Sequence, residues 1–513
     1  MAILILSATL LFAASAWPRP TTPEQARAMV GNWLGLEAKP MGASLGAQIR
    51  EVQTFPDSSG SPAYYVVYLN PSGLVFVPAD DLVEPLIGFL PHGVYDPSPN
   101  NPLGALVSRD IPGRVLKARE IETQALAAGT PLVPESPWTV AQQKWARLAN
   151  PADGLDSPGA GYPPPSDVRV APFTLSRWSQ TTVNSQACYN YYNPPNGAGN
   201  AGNYPCGCTA TAMAQVLYWF QYPAAPVVGT FTIKVNDVSQ PATIRGGDGS
   251  GGPYDWANMV ADPLHSEVSP NQAAAIGALT YDAGVSVKMS YTANSSTAWA
   301  YGYAFVNTFK YANAKLSYPG SHFPDASRNA MINANLHAQY PVIVDILNTS
   351  TSGGHAVVCD GYGYNSGTMY NHLNMGWAGS SDAWYNLPNV LTYDSVYGLT
   401  YNIFVSGTGE IIAGRVTDGT NPLSGATVTA SRSGGGTYST TTNANGLYAL
   451  VHVPSASSYS VNVAPRAGFT FTPQSVSTLT STDYTATTGN VWGVDFKGTR
   501  NKALTSIYEL LLQ

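Results

Sequence analysis

The sequence predicts an α+β protein that ends in an all-β domain, and three observations support this class. Amphipathic helix patterns are mixed with short strand patterns up to about residue 408. From residue 411 onwards, short alternating strands dominate. The chain of 513 residues is also longer than one ordinary domain, so roughly three units are expected.

Composition indicates a turn-rich protein of an extracellular kind. Charged residues make up 11% of the chain, against roughly 25% in an average soluble protein, whereas 49 Gly, 40 Pro and 31 Tyr are abundant. The formal net charge of −7 comes without a basic stripe. Nucleic acid is therefore excluded as an expected partner.

The N-terminus has the pattern of an export signal over residues 1–16. Leu4 to Ala14 form an apolar core that is too short for a stable membrane anchor, and Ala14-Ser15-Ala16 offers the small residues that signal peptidase needs. A buried N-terminal strand is the alternative. No later segment approaches 18 uninterrupted apolar residues, so we expect no integral membrane segment and a secreted or surface-associated protein.

The region after the signal, residues 17–167, predicts a small α+β unit. Thr22 and Gln25 have capping-box spacing at the start of an amphipathic helix over 22–35. Two apolar runs, 63–69 and 73–79, are separated by Asn70-Pro71-Ser72 and predict a β-hairpin.

A Pro- and Gly-rich stretch at about 150–168 predicts an exposed linker, where proteases cut readily. It is followed by an aromatic-rich segment, 168–408, which predicts an α+β domain with an antiparallel sheet. The expected elements of this domain are helices at 208–221 and 270–283 and strands at 341–347 and 355–362.

The C-terminal region, residues 411–498, predicts a β-sandwich. Its short alternating strands are separated by Asn-Gly and Pro-Ser turns. It carries no catalytic constellation, which favours a role in attachment, spacing or stability. The tail, residues 499–513, has a pattern that fits a short helix of unknown role.

Four cysteines occur in a chain that is expected to meet oxidising conditions, so each should be paired, buried or chemically used. Cys188 and Cys206 flank a flexible loop that could close a disulfide, and the sequence leaves this open. Cys359 lies within an apolar strand, which predicts an inert buried thiol. Cys208 remains as the candidate nucleophile.

The position of Cys208 favours reactivity. It lies at or next to the start of the 208–221 helix, where the helix dipole favours a thiolate. Gly207 before it allows a tight turn and close approach of a substrate backbone. A buried inert cysteine is the alternative interpretation.

A thiol nucleophile needs a base, and histidine is the usual one. None of the seven histidines has metal-ligand spacing, so we expect no metal and no cofactor. His355 follows two glycines and opens an apolar strand, which would clear space for a substrate and hold the imidazole rigidly. A purely structural histidine is the alternative.

Five segments together resemble the streptopain family of secreted bacterial cysteine peptidases, which have papain-like folds. Three of them surround the candidate site: "GCTATAMAQVLYWFQYP", "GGHAVVCDGYG" and "LNMGWAGSSDAWYNL". "VAPFTLSRWSQ" resembles the start of the family's mature enzyme, and "YYVVYLNPSGLVFVPADDLVEPLIGF" is similar to its inhibitory propeptide.

This resemblance, which covers roughly residues 20–405, implies a role for each matching residue. Cys208 would be the nucleophile and His355 its base, later the acid that protonates the leaving amine. Gln180 would supply the side-chain donor of the oxyanion hole. Asn374 would orient the imidazole of His355, and Trp377 would shield that contact from water, although a core aromatic is nearly as plausible for Trp377.

Two residues near these motifs do not follow them. Cys206 is not part of the family's Gly-Cys motif, which leaves it structural or incidental. Met375 stands where a tryptophan is expected beside the active site, so a leaving-group subsite would change shape. The sandwich at 411–498 resembles carboxypeptidase-regulatory-like modules.

Together these features predict a secreted cysteine endopeptidase made as a self-processing zymogen, with protein or peptide substrates and its own propeptide as inhibitor. The expected order is signal 1–16, propeptide 17–167, papain-like peptidase 168–408, sandwich 411–498 and tail 499–513. The resemblance implies an apolar substrate side chain two residues before the scissile bond. Two alternatives are a catalytically silent surface adhesin and a Cys-His acyltransferase.

Overall fold

The computed structural model describes residues 20–149, 166–298, 301–320, 323–348, 353–387, 396–466 and 468–500. The predicted export signal, most of the predicted linker and all but two residues of the predicted tail lie outside these ranges. Among the described residues, no helix combines the length and the apolar character needed to cross a membrane.

The helices include those predicted from sequence. The capping box of the first helix is present, with the Gln25 amide donating to the Thr22 hydroxyl and the Thr22 amide donating to the Gln25 side chain. Further helices that the sequence patterns did not reveal are also present, and α2, with 27 residues, is the longest of them. The α-helices are α1 Pro23–Leu36, α2 Pro102–Ala128, α3 Pro137–Ala149, α4 Cys208–Phe220, α5 Pro270–Ser286, α6 Tyr301–Asn307 and α7 Asp325–His337.

The N-terminal unit, residues 20–149, contains the predicted hairpin. Its strands are β1 Gln48–Pro56, β2 Pro62–Asn70, β3 Leu74–Pro78 and β4 Gly88–Leu90. The antiparallel pair β2 and β3 is buried on both faces, because α1 packs on one face and α2 on the other. This two-sided cover explains why these strands are apolar almost throughout.

The central unit, residues 166–404, is built on an antiparallel sheet, as predicted. Its strands are β5 Asp167–Val170, β6 Thr182–Val183, β7 Gln186–Ala187, β8 Thr230–Val235, β9 Val238–Thr243, β10 Ser290–Tyr291, β11 Ser296–Thr297, β12 Asn313–Ser317, β13 Val342–Asn348, β14 Gly353–Asn365, β15 Thr368–Asn374, β16 Ala383–Tyr385 and β17 Val396–Phe404.

One sheet continues through both units. Its order is β1-β2-β3-β4-β16-β15-β14-β13-β17-β12, and β5 pairs with β14. The junction is the antiparallel pair β4 and β16, where Phe89 lies opposite Trp384. Buried helices α4 and α5 pack together in a separate core beside this sheet, and α4 also contacts β14. The candidate site lies where α4 meets β14.

The C-terminal module, residues 410–500, is the predicted β-sandwich. Its strands are β18 Glu410–Thr417, β19 Thr427–Arg432, β20 Thr437–Thr441, β21 Leu447–Val453, β22 Ser458–Val463, β23 Phe469–Thr470, β24 Gln474–Ser477, β25 Phe496–Lys497 and β26 Thr499–Arg500. Sheets β21-β18-β25 and β20-β19-β22-β24 enclose an apolar core. Strand β25 is only two residues long and pairs with β18 in parallel.

The module packs firmly against the central unit. His337 is buried at the contact, where its Nε2 lies 2.6 Å from the Tyr362 hydroxyl and its Nδ1 lies 3.2 Å from the Tyr448 carbonyl oxygen. Burial lowers the pKa of His337 to about 4, so this imidazole is neutral near pH 7. Arg415 of the module also pairs with Asp167 at 2.8 Å, which ties the module to β5.

Candidate active site

Helix α4 begins at Cys208, as the sequence predicted, and Gly207 is its N-cap residue. The backbone of Gly207 has φ 87°, a conformation that favours glycine. A Cβ atom at this position would lie 2.6 Å from the Ser296 carbonyl oxygen. Glycine is therefore required on both counts, and it places the Cys208 thiol at the open end of the helix.

His355 lies across the cleft from this thiol, on strand β14. Because α4 packs against β14, the two side chains line the same cavity although they are far apart in the sequence. The Cys208 Sγ atom lies 3.9 Å from the carbonyl oxygen of Gly354, the residue before His355. The structure thus brings the predicted nucleophile and the predicted base together.

The two groups favour each other's charged form. Burial opposes ionisation of Cys208, but the His355 imidazole outweighs it, so the pKa of the thiol lies below its ordinary value. Burial likewise lowers the pKa of His355, but Cys208 and the hydrogen bond to the Pro99 carbonyl together outweigh it, so the pKa is raised. This is the electrostatic pattern of a thiolate and imidazolium pair.

In the other three cysteines, burial disfavours the thiolate. Cys188 and Cys206 are buried free thiols, and burial raises the pKa of each to about 12. Cys359 is a fully buried free thiol, and burial raises its pKa well above the ordinary range. Two residues apart in sequence, Cys206 and Cys208 therefore differ sharply, and only Cys208 has a favoured thiolate.

A carbonyl oxygen of the N-terminal unit forms a hydrogen bond with the His355 imidazole. The Pro99 carbonyl oxygen lies 2.8 Å from His355 Nε2. The Nδ1 atom of His355 is buried and has no hydrogen bond of ordinary geometry within the described residues. Sequence reasoning did not identify Pro99, because nothing in a Pro- and Asn-rich loop indicates which distant side chain it meets.

The loop that carries Pro99 is held by its own hydrogen bonds. The Ser98 amide donates to the Asp96 carboxylate at 2.9 Å, and the Asn101 amide donates to the Ser98 carbonyl oxygen at 3.0 Å. Asn101 then caps α2 by accepting from the Gly104 amide at 3.0 Å. The start of α2 therefore fixes the position of the Pro99 carbonyl.

Gln180 lies beside the turn that leads into α4. Its carbonyl oxygen accepts a hydrogen bond from the Cys206 amide at 2.9 Å, and the residue is partly buried. This contact holds the backbone of Gln180 beside Cys206, which lies two residues before Cys208 in the sequence.

Asn374 is engaged in the core. Its Nδ2 donates to the Ser176 carbonyl oxygen at 2.6 Å, and its Oδ1 accepts from Gln215 Nε2 at 3.2 Å. Within the described ranges, no hydrogen bond joins it to His355. Trp377 is partly buried, and its indole Nε1 is buried with no hydrogen-bond partner in the same ranges. Met375 is fully buried in the main core.

In the part of the chain that the structure describes, no group of three or more His, Cys, Asp or Glu side chains is arranged to hold a metal ion. Asp360 and His372 form a close pair at 2.6 Å on β14 and β15, and Thr174 donates to the same carboxylate. These contacts tie the start of the central unit to the sheet.

The segment that contains α4 and β14, and with them Cys208 and His355, matches a known protein family. Residues 178–385 match the Peptidase C10 family. The match includes Cys208, His355, Gln180, Asn374 and Trp377, and it confirms the resemblance to streptopain and its relatives. Residues 411–494 match the carboxypeptidase regulatory-like domain, which confirms the second resemblance.

Curated relatives of the C10 domain are streptopains of Streptococcus pyogenes. One is 31% identical over 187 residues, which cover 35% of this chain and 45% of the relative. The counterpart from serotype M1 is 30% identical over the same length. The chain thus spans less than half the length of these relatives.

Solved structures with similarity come from Prevotella intermedia. A prointerpain A fragment is 21% identical and covers 69% of this chain and 98% of its own, with a TM-score of 0.46. Active interpain A cysteine protease is 24% identical and covers 46% of this chain and 95% of its own, with a TM-score of 0.38.

Proposed function

We propose that the protein is a secreted cysteine endopeptidase made as a self-processing zymogen. The observation that carries this proposal is the Cys208 and His355 pair, in which each residue shifts the other's pKa towards the charged form. A thiolate can attack a peptide carbonyl, and the imidazolium can then protonate the leaving amine. The match to the Peptidase C10 family supports the same chemistry.

The N-terminal unit would act as the inhibitory propeptide, with proposed limits 17–167. It supplies the Pro99 carbonyl that bonds His355, and Pro99 and Asn100 line the cavity that contains Cys208. A substrate cannot occupy the cleft while this loop fills it. Cleavage at the proposed boundary after residue 167 would cut the covalent link between this unit and the central unit, so that the loop could leave the cleft.

The purified precursor tests this function directly. It should shorten on a gel during incubation, and a thiol alkylator should prevent the change. Mass spectrometry of peptide products separates hydrolysis from acyl transfer to another amine. A precursor that shortens equally with and without alkylation contradicts a self-processing cysteine peptidase.

Gln180 is proposed as the oxyanion donor, with the Cys208 amide as its companion. We expect Gln180→Ala to lower kcat by about 10²–10³, because an uncharged donor acts on the transition state. Its effect on the pH profile should be small. Gln240→Ala, on the exposed strand β9, is the matched control and should leave kcat unchanged. Equal kcat values for the two variants would remove Gln180 from the oxyanion hole.

Asn374 and Trp377 are proposed as supporting residues for His355. Release of Pro99 would free the Nε2 atom of His355 for another acceptor, and the Asn374 amide oxygen would take that role by exchanging the Gln215 amide that donates to it in the precursor. The unpartnered indole of Trp377 would help to exclude water from the contact. Their roles therefore belong to the mature enzyme.

The pH dependence of the mature enzyme should be bell-shaped. The reactive pair exists above the lowered pKa of Cys208 and below the raised pKa of His355. Activity on a neutral peptide should therefore rise through the first macroscopic pKa and fall through the second, and both belong to the coupled pair. His265→Gln changes an exposed histidine and should leave both limbs in place. A single rise near about pH 8.5, typical of an isolated thiol, would contradict the pair.

Export is proposed from the signal-like sequence at 1–16. The expected observation is mature protein in the culture medium that lacks these residues, with the N-terminus determined by mass spectrometry. Retention of the full chain inside the cell would contradict export without affecting the proposed chemistry.

A further inference from the structure

An acidic side chain lies in the wall of the cavity beside the nucleophile. The cavity has a volume of about 100 Å³, and Asp345 of β13 lines it together with Cys208, His355, Ala356 and Tyr397. The resemblance to streptopain implies an apolar substrate side chain two residues before the scissile bond. A carboxyl group is a different chemical feature, and it is unused by the proposed reaction.

The fold makes specific room for this carboxyl group. Asp345 lies opposite Ala356 on one neighbouring strand and opposite Gly398 on the other. A Cβ atom on residue 398 would lie 2.5 Å from Asp345 Oδ2. Glycine at 398 and alanine at 356 therefore leave the space that the carboxyl group occupies.

Asp345 has no partner of its own within the described part of the chain. The residue is only 2% exposed, and no hydrogen bond or ion pair reaches its carboxyl group from those residues. Burial raises its pKa well above the ordinary value, and the nearby Cys208 thiolate adds to the shift. Buried polar groups are normally satisfied, so an unsatisfied one in a cleft indicates a ligand that supplies the donor.

A basic substrate side chain fits these surroundings. Lysine and arginine carry an aliphatic stem, which could lie along the Tyr397 ring and Ala356, and end in several N–H donors. Their charge would stabilise the ionised form of Asp345 at a point where an apolar side chain would leave the carboxyl group unpaired. In the precursor, Pro99 and Asn100 cover this cavity, so it would open to substrate when the propeptide leaves.

We propose that Asp345 is a specificity-determining residue that selects substrates with a lysine or arginine side chain in the pocket beside Cys208. This proposal rests on the proposed peptidase function. It replaces the apolar preference implied by the family resemblance with a basic one.

Matched peptides test the selection in the matured full-length chain. At each of the three positions before the scissile bond, lysine is compared with norleucine, and arginine with citrulline, so that length is kept while charge changes. At one of these positions we expect wild-type kcat/KM to favour the charged member by at least about tenfold, the scale of a hydrogen bond to a charged group. Asp345→Asn should abolish that ratio. Asp237→Asn, in an exposed turn, should keep it.

The outcomes are distinguishable from failure of the peptidase function. Cysteine-dependent cleavage of casein by the wild-type enzyme establishes activity, and active-site titration with a thiol alkylator shows how much of each variant is folded. If casein is cleaved but no position favours the charged member, the proposal is overturned. It is also overturned if Asp345→Asn lowers kcat/KM for both members equally, because that result assigns Asp345 a structural role. If the variant does not fold, the wild-type ratios alone decide.

Discussion

Replacement of Cys208 by alanine should abolish peptide hydrolysis and leave the precursor at full length. Loss of a catalytic nucleophile typically lowers kcat by about 10⁴–10⁶. The fold should survive, because alanine is a good helix former and Cys208 is the first residue of α4. Expression in a protease-deficient host, followed by intact mass and circular dichroism, measures maturation and folding separately.

Cys206→Ser is the matched control for this experiment. Cys206 is a fully buried free thiol whose pKa is raised to about 12, so it should contribute no nucleophile. The variant should still mature, with at most a loss of stability from the altered packing around Thr211. Maturation of Cys208→Ala together with an inactive, folded Cys206→Ser would show that the wrong cysteine was chosen.

Local sequence signals predicted the parts of the fold that depend on neighbouring residues. The capping box of Thr22 and Gln25, the hairpin of β2 and β3, and the start of α4 at Cys208 all lie where the patterns place them. Each of these features is determined by residues within a few positions of one another, so a single sequence contains the information.

Features that join distant segments were not predictable in this way. The bond between Pro99 and His355 spans 256 residues, and its position depends on how α2 packs against the sheet. The unpartnered carboxyl group of Asp345 is another example, since "PVIVDIL" has the pattern of an ordinary buried strand. The space that the Asp345 carboxyl group occupies depends on Gly398 and Ala356, which only the assembled sheet places beside it.

The helix α2 was missed for a local reason. It contains Pro112 and two glycines, which are poor helix residues, and its apolar positions do not follow a single narrow stripe. Tertiary contacts compensate, because its first half is buried against the sheet and Arg114 reaches the central unit. This helix carries a buried polar contact between the two units.

Arg114→Ala should loosen the N-terminal unit and activate the precursor. Arg114 is 2% exposed and bonds Asp110 through Nε and an NH2 group at 2.9 and 2.8 Å. It also donates to the side-chain and carbonyl oxygens of Asn386 in the central unit, at 2.7 and 2.6 Å. Among the residues that the structure describes, removing it leaves the buried carboxylate of Asp110 with only the Tyr385 hydroxyl as donor.

The expected size of this effect follows from the two bonds that Arg114 donates to Asn386 across the contact between the units. A hydrogen bond to a charged group contributes about 1.5–3 kcal/mol, so losing both should weaken the inhibited state by about 10² or more. We therefore expect faster shortening of the Arg114→Ala precursor on a gel, and a lower Tm when the change is made in the Cys208→Ala background. Lys117→Ala on the same helix is the matched control, because its pair with Glu120 is exposed and worth about 0–1 kcal/mol. If both variants mature at the wild-type rate while Arg114→Ala lowers the Tm, the pair stabilises the N-terminal unit alone and does not hold it in the inhibitory position.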